Sequence, residues 1–291
     1  MLVNSLLRRR VAKVGRGIRT TPLATSYHWA NEERVEVLNQ RGSKPTKMSV
    51  GSYLTQFENI SRQSVDEPNP LLRPAWVQVH LPHDSLRGTV LVDTPGIDCN
   101  DADACLAEAA AEAVDFVLFV ALNRQRAEKE KAFLSKLSRR HKPFAVLLNC
   151  WGPDPDKWSP DDWLNRDNVE DWSAWLKGFL HYPVAQGKMF NFVWGALAEG
   201  VAGNNESEAK QWERNLTDYF NVVGGKPRPP DTELLSESGC DLIRRFVFAE
   251  PESSVGWNAR CLGTLHSASV QWAEKVRKQI EATKAAIHFK E

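Results

Sequence analysis

Leu86 to Asn100, LRGTVLVDTPGIDCN, constrains the fold of this chain more than any other stretch. Thr89 to Val92 are apolar or β-branched, as a buried strand requires, and the run stops abruptly at Asp93-Thr94-Pro95-Gly96. A carboxylate at the tip of such a strand stands at the carboxyl edge of a sheet, where open α/β proteins bind ligands. Gly96 has no side chain, so its N–H can approach a phosphate closely. The competing reading is a plain strand-to-turn exit with Pro and Gly as punctuation, and these four residues alone leave both open.

The flanking sequence sets this strand in an α/β pattern. Leu2, Val3, Leu6 and Leu7 share one helical face. Leu23 to Tyr27 and Arg34 to Leu38 read as strands, Gln40 to Lys47 as a polar loop, and Ser49 to Ser61 as a helix with Tyr53, Leu54, Phe57 and Ile60 on one face. Val77, Val79 and Leu81 alternate with Gln78 and His80, and the link from Pro82 to Gly88 predicts an antiparallel hairpin with the central strand. Beyond it come a helix over 101–114, a strand over 116–121, a charged helix over 127–140 and a strand over 144–148. Phe190 to Trp194, ending on Gly195, reads as one more strand. This alternation predicts a three-layer α/β fold around a mostly parallel sheet. Gly224 to Pro230 is a Gly/Pro boundary, and from Thr232 the pattern is helical only, so residues 1–224 form one unit and 225–291 a linker and helical segment.

Charge and cysteine usage narrow the function class. Lys+Arg and Asp+Glu number 37 each, so no overall field draws nucleic acid. Arg8, Arg9, Arg10, Lys13, Arg16 and Arg19 nonetheless cluster without an acid, as a solvated helix face, a phosphate-facing edge or a targeting peptide. Five cysteines without a C-x-x-C pair fit a reducing, cytoplasmic setting and argue against a disulfide framework or a Cys-type zinc site. No apolar run nears the ~18–20 residues of a membrane span. His80 and His83 flank a turn with no third ligand, and Asp154, Asp156, Asp161 and Asp162 read as solvated helix-start acids before a metal cluster. Trp172 and Trp175, three apart, read as packing residues before a partner surface.

Taken in order, these motifs resemble the GTPase domain of the dynamin-like family, particularly its bacterial, mitofusin-related members. LVNSLLRRRVAKVG resembles the helix and turn after that family's phosphate-binding loop, and Thr21-Pro22-Leu23-Ala24-Thr25 resembles its first switch. DTPGID resembles the second switch, Val114 to Val120 the strand after it, and Phe190 to Ala196 the late strand and turn that flank the guanine. The resemblance covers roughly residues 1–224. It implies a P-loop-GTPase-like sheet followed by the start of a helical trunk, with GTP and Mg²⁺ as ligands. It also implies that Thr21 and Asp93 manage the metal, that Gly96 senses the γ-phosphate, that Thr20, Thr94 and Pro95 lie at the nucleotide, and that Asn149, Gly195 and Ala196 border the base. G-domain self-association and peripheral work at membranes are implied as well.

Two departures from the family pattern bear on activity. The phosphate-binding G-x-x-x-x-G-K-[ST] is absent, and Met1 stands about where the residue after its Lys-[ST] pair belongs. The expectation is a chain truncated at both ends, whose loop lies upstream and which hydrolyses GTP poorly alone, since phosphoryl transfer depends on positioning and charge neutralisation. In the guanine-reading N-K-x-D, Asn149 matches, but Cys150 replaces the lysine and Gly152 the carboxylate, which erodes base discrimination. Asp154 and Trp151 are candidate substitutes. The alternative is a non-catalytic module that keeps the fold as a docking or scaffold surface.

Overall fold

A computed structural model describes residues 1–15, 23–40, 44–69, 72–97, 101–122, 126–149, 166–177, 190–222, 225, 227–248, 273 and 276–278. Thr20, Thr21, Cys150 to Gly152 and the acids and tryptophans of 154–163 lie outside these residues.

The elements in chain order are α1 (Leu2–Leu6), β1 (Ala24–Trp29), β2 (Arg34–Asn39), β3 (Thr46–Met48), α2 (Val50–Asp66), β4 (Pro74–Leu81) and β5 (Leu91–Asp93). Then follow α3 (Asp101–Ala113), β6 (Val117–Leu122), α4 (Glu128–Arg139), β7 (Phe144–Asn149) and α5 (Arg166–Lys177). Four helices complete the described chain: α6 (Phe192–Ala198), α7 (Glu206–Val222), α8 (Asp231–Ser238) and α9 (Cys240–Phe248).

The strands form a five-stranded sheet in the order β3-β2-β4-β1-β5 and a two-stranded sheet of β6 and β7. The α/β architecture is as the sequence predicts, with mixed pairing. β1–β4 and β6–β7 are parallel, whereas β2 runs antiparallel to β3 and β4, and β5 antiparallel to β1. The predicted hairpin between β4 and β5 does not form, because β1 lies between them. β4 is eight residues long, and its Val77, Val79 and Leu81 are fully buried, so it takes the sheet centre with β1 and β2 on its two edges. The link to β5 instead closes a short 3₁₀ turn over buried Leu86.

Alternation decides the two faces of the larger sheet. Tyr27, Val35, Val37, Val77 and Val79 point to one side and pack on Val50, Tyr53, Phe57 and Ile60 of α2. Each such fully buried apolar side chain contributes ~1.5–3 kcal/mol. Ser49 starts α2 by accepting the Ser52 N–H at 3.1 Å. β6 and β7 pack on α3, α4 and α5 through Phe119, Phe133, Leu134 and Trp172, the last only 1% exposed. The Arg126 guanidinium lies 5.1 Å from the Trp175 ring centre and 5.9 Å from that of Trp172, so this pair packs inside, as expected. Glu130, at the third position of α4, accepts the Ala127 N–H at 2.7 Å and fixes its start.

The predicted strand over Phe190–Trp194 is corrected to a single parallel bridge, Asn149 with Phe190, followed at once by α6. Asn191 makes the difference: its side chain accepts the Trp194 N–H at 3.2 Å, a helix cap that no strand offers. Leu234 joins Val193 and Leu197 in one core, while Cys240, Ile243 and Val247 join Leu6 and Phe192 in another.

The other face of the larger sheet carries a histidine pair. His28 and His80 are direct partners across β1 and β4, with rings stacked at 5.3 Å. His28 shares the Ser26 hydroxyl, at 2.8 Å, with the Trp76 indole N–H at 2.9 Å. Burial pulls both pKa values below the ordinary 6.5, and the Arg34 charge adds to this at His80. Since the folded values lie below the unfolded one, the unfolded chain binds more protons under pH ~6.5. The histidines' contribution to stability is therefore intact above that value and lost as pH falls through it. Melting temperature is expected to drop between pH 7.5 and 5.5 more steeply in the wild type than in His28→Gln/His80→Gln; equal slopes would refute this.

Candidate functional site

The basic N-terminus resolves into anchors. Arg8 Nε lies 3.1 Å from Glu199, Arg9 pairs with Glu33, Arg10 donates to the Gly200 carbonyl at 2.7 Å, and Lys13 lies 3.3 Å from Glu58. Arg16 and Arg19 of the same basic stretch lie outside the described residues. Asn4, fully buried, secures the turn after α1: its carbonyl oxygen accepts the Val11 and Ala12 N–H groups at 3.0 and 2.8 Å, and its amide donates to the Ala12 carbonyl at 3.0 Å. Nothing in the sequence singled out Asn4, because its partners meet only after the turn closes.

A cavity of about 1780 Å³ lies between β5 and β6, and Asp93, Thr94, Pro95, Gly96 and Asn149 all line it. Two motifs 53 or more residues apart in sequence thus reach one space. Asp93 ends β5, half-buried and in register with Thr25 of β1; Gly96 is exposed. Burial, with the Asp93 charge adding, holds the Tyr27 hydroxyl well above its ordinary pKa, and burial pushes Tyr53 up to about 12. Both phenols therefore stay protonated at neutral pH. Burial lowers the Met1 amine's pKa, while the same carboxylate opposes that shift. Asp93 is thus a half-buried carboxyl group within electrostatic reach of Tyr27, Tyr53 and the Met1 amine.

Asn149 ends β7 and its carbonyl oxygen accepts the Phe192 N–H at 3.3 Å, tying the strand tip to the start of α6. Gly195 and Ala196 lie on the buried side of α6, outside the cavity lining. A Cβ at Gly195 would stand 2.4 Å from the Cys240 sulfur and 2.9 Å from the hydroxyls of Ser5 and Ser238. Burial pushes the Cys240 thiol up, so it packs as a neutral group. Gly195→Ala is expected to destabilise by about 1–3 kcal/mol through overpacking, read by denaturant unfolding, whereas an unchanged midpoint would refute this close packing.

Asp93 fits Mg²⁺ as that ion is held at phosphate sites, by one or two carboxylates plus ligand oxygens. Among the described residues no group of three or more His, Cys, Asp or Glu converges on a metal. Among the described residues, the Lys and Arg side chains at the cavity wall have ion-pair partners: Lys13 pairs with Glu58, and Arg87 with Asp84 at 2.8 Å, its guanidinium 4.5 Å from the Trp29 ring centre. No helix among the described residues is long and apolar enough to cross a membrane.

No family model matches the sequence, and no curated protein matches it. Among solved structures, the chain is similar to two chains described as an oligomerised bacterial dynamin pair that provides a mechanism for long-range sensing and tethering of membranes. Identities are 17% and 19%, with TM-scores of 0.42 and 0.41 over 81% of this chain in each case. The match spans about a third, 33%, of each of those chains.

Proposed function

We propose that this chain is the nucleotide-binding core of a dynamin-like GTPase, which binds and hydrolyses GTP with Mg²⁺ when a phosphate-binding loop is supplied on its N-terminal side. One observation carries the reading: the D-x-P-G turn after β5 and Asn149 at the tip of β7 line the same cavity. Bound Mg²⁺ would supply charge neutralisation at the phosphates. Asp93 and Thr21 would hold the metal, and the Gly96 N–H would serve the terminal phosphate, with Thr20, Thr94 and Pro95 as further nucleotide-binding residues. Asn149 borders the base, with Gly195 and Ala196 behind it in α6. Residues 1–224 are most of the nucleotide domain and 225–291 begin a helical trunk. Self-association through the nucleotide domain and peripheral membrane association follow from the same resemblance.

A second reading is a non-catalytic docking module: among the described residues, Lys13 and Arg87 at the cavity wall pair with Glu58 and Asp84, while a triphosphate draws on cations for charge neutralisation. GTP turnover by the protein as the cell makes it separates the two. Loss of turnover in Thr21→Ala and in Asp93→Ala supports the enzyme, whereas unchanged turnover in both sinks it.

A further inference from the structure

The face of the larger sheet turned away from α2 gathers Ser26 and His28 of β1 with Trp76, Gln78 and His80 of β4. In the sequence His80 stands close to His83, but the parallel register sets it directly beside His28. Hydrogen bonds around Ser26 fix the tautomer of His28. The Ser26 hydroxyl donates to the Val77 carbonyl at 3.4 Å and accepts the Trp76 indole N–H at 2.9 Å. Its remaining lone pair accepts the proton of His28 Nε2 at 2.8 Å, which leaves Nδ1 as the lone-pair nitrogen of that ring. A metal-ligating histidine is held in this manner, its other ring N–H given to a fixed acceptor. On the other ring, His80 Nε2 is enclosed and has no hydrogen-bond partner, so a group that would satisfy it is missing.

Spacing and charge state agree with a shared metal. Two imidazoles bound tetrahedrally through N–metal bonds of about 2.0–2.1 Å hold their ring centres roughly 5 Å apart. The two rings here are 5.3 Å apart. Their planes are inclined by only 25°, so each ring turns about χ2, a broad torsion, to bring its lone pair to the metal. Burial lowers both pKa values, which keeps the rings neutral and able to ligate at neutral pH. Around them, Arg34 of β2 and Lys47 of β3 both pair with Glu36, at 2.9 and 3.4 Å, and β5 sets apolar Val92 beside Ser26. Imidazole selects Zn²⁺, Ni²⁺ or Cu²⁺, whereas Mg²⁺ takes oxygen ligands.

We propose that His28 and His80 form a two-histidine site for a divalent transition metal of the zinc class, with His28 Nδ1 and His80 Nε2 as ligands and the other positions open to water or an anion. The site is separate from the one proposed for Mg²⁺. His28 stands three residues along β1 from Thr25, the partner of Asp93, which is about 10 Å of strand. Its metal binding therefore stands or falls independently of GTP.

Calorimetric titration of the 291-residue chain with Zn²⁺ at pH 7.5 tests this. One saturable site is expected, weakened at least ~10-fold, about 1.4 kcal/mol, in His28→Gln and again in His80→Gln. Absence of saturable binding, or binding unchanged in both variants, overturns the proposal. Cys105 is an exposed thiol and the obvious competitor, so the wild-type chain is also loaded with Co²⁺. A spectrum of nitrogen and oxygen ligands without thiolate charge-transfer bands supports the histidine pair even where a variant does not fold. Thiolate bands place the metal on cysteine and overturn it.

Discussion

Arg244→Met is expected to lower the unfolding free energy by about 3 kcal/mol, the low end for breaking a buried ion pair. Arg244 is 6% exposed and joins three parts of the chain. Its Nε donates to the Leu6 carbonyl at 3.1 Å and one Nη donates to that of Ser5, closing the carbonyl end of α1. The same Nη lies 3.0 Å from Glu199, and the other 2.5 Å from Asp241. Methionine fills much of the volume yet leaves two carbonyls and a nearly buried Glu199 without that partner. Arg8 still reaches Glu199 at 3.1 Å, which places the loss at the low end of the range. Arg244→Lys keeps the charge without the planar fork and is expected to lose roughly half as much. Urea unfolding of the three proteins checks this, and equal stability of wild type and Arg244→Met would refute the clamp.

Asp93→Ala is expected to reduce Mg²⁺-dependent GTP turnover of the protein as the cell makes it by about 100-fold, equivalent to ~2.7 kcal/mol of transition-state stabilisation. Phosphoryl transfer draws its rate from positioning and from neutralising developing charge, and Asp93, which lines the cavity, is the carboxylate proposed to hold the metal. The neutral Tyr27 and Tyr53 do not depend on its charge, so the melt reports directly whether the fold tolerates the change. Stopped-time phosphate release, alongside a thermal melt, separates lost chemistry from lost structure. Reduced turnover with an unchanged melt is the expected pair. A lowered melt that accounts for the lost turnover would assign Asp93 a structural role.

The legible parts of the sequence were those written in local periodicity. β5 and its D-x-P-G exit, the helices on either side of β6, and β7 follow from apolar spacing bounded by Pro, Gly and charge. β3 escaped because Thr46 to Met48 is short, polar and at a sheet edge, and reads as loop. Phe190 to Trp194 was misread because a short apolar run fits a buried strand and a buried helix equally, and only the Asn191 cap decides. The β4–β5 hairpin failed because sequence neighbours need not pair when a longer apolar strand claims two partners elsewhere.

At the candidate site, motif shape singles out Asp93, Gly96 and Asn149, and all three line one cavity. Asn4 and Arg244 were not found, for a shared reason. Their key partners are backbone groups, and those of Arg244 lie 238 and 239 residues away in the chain. No residue pattern encodes a bond to a carbonyl oxygen.

The Asp93 cavity is the proposed site of GTP and Mg²⁺. The most direct measurement is a fluorescent-GTP titration of the protein purified from its own locus, with and without Mg²⁺, in wild type and Asp93→Ala. Mg²⁺ is expected to tighten wild-type binding by at least ~10-fold, about 1.4 kcal/mol, and Asp93→Ala to abolish this gain. No binding, or binding indifferent to both the metal and the substitution, would contradict it and leave the docking module.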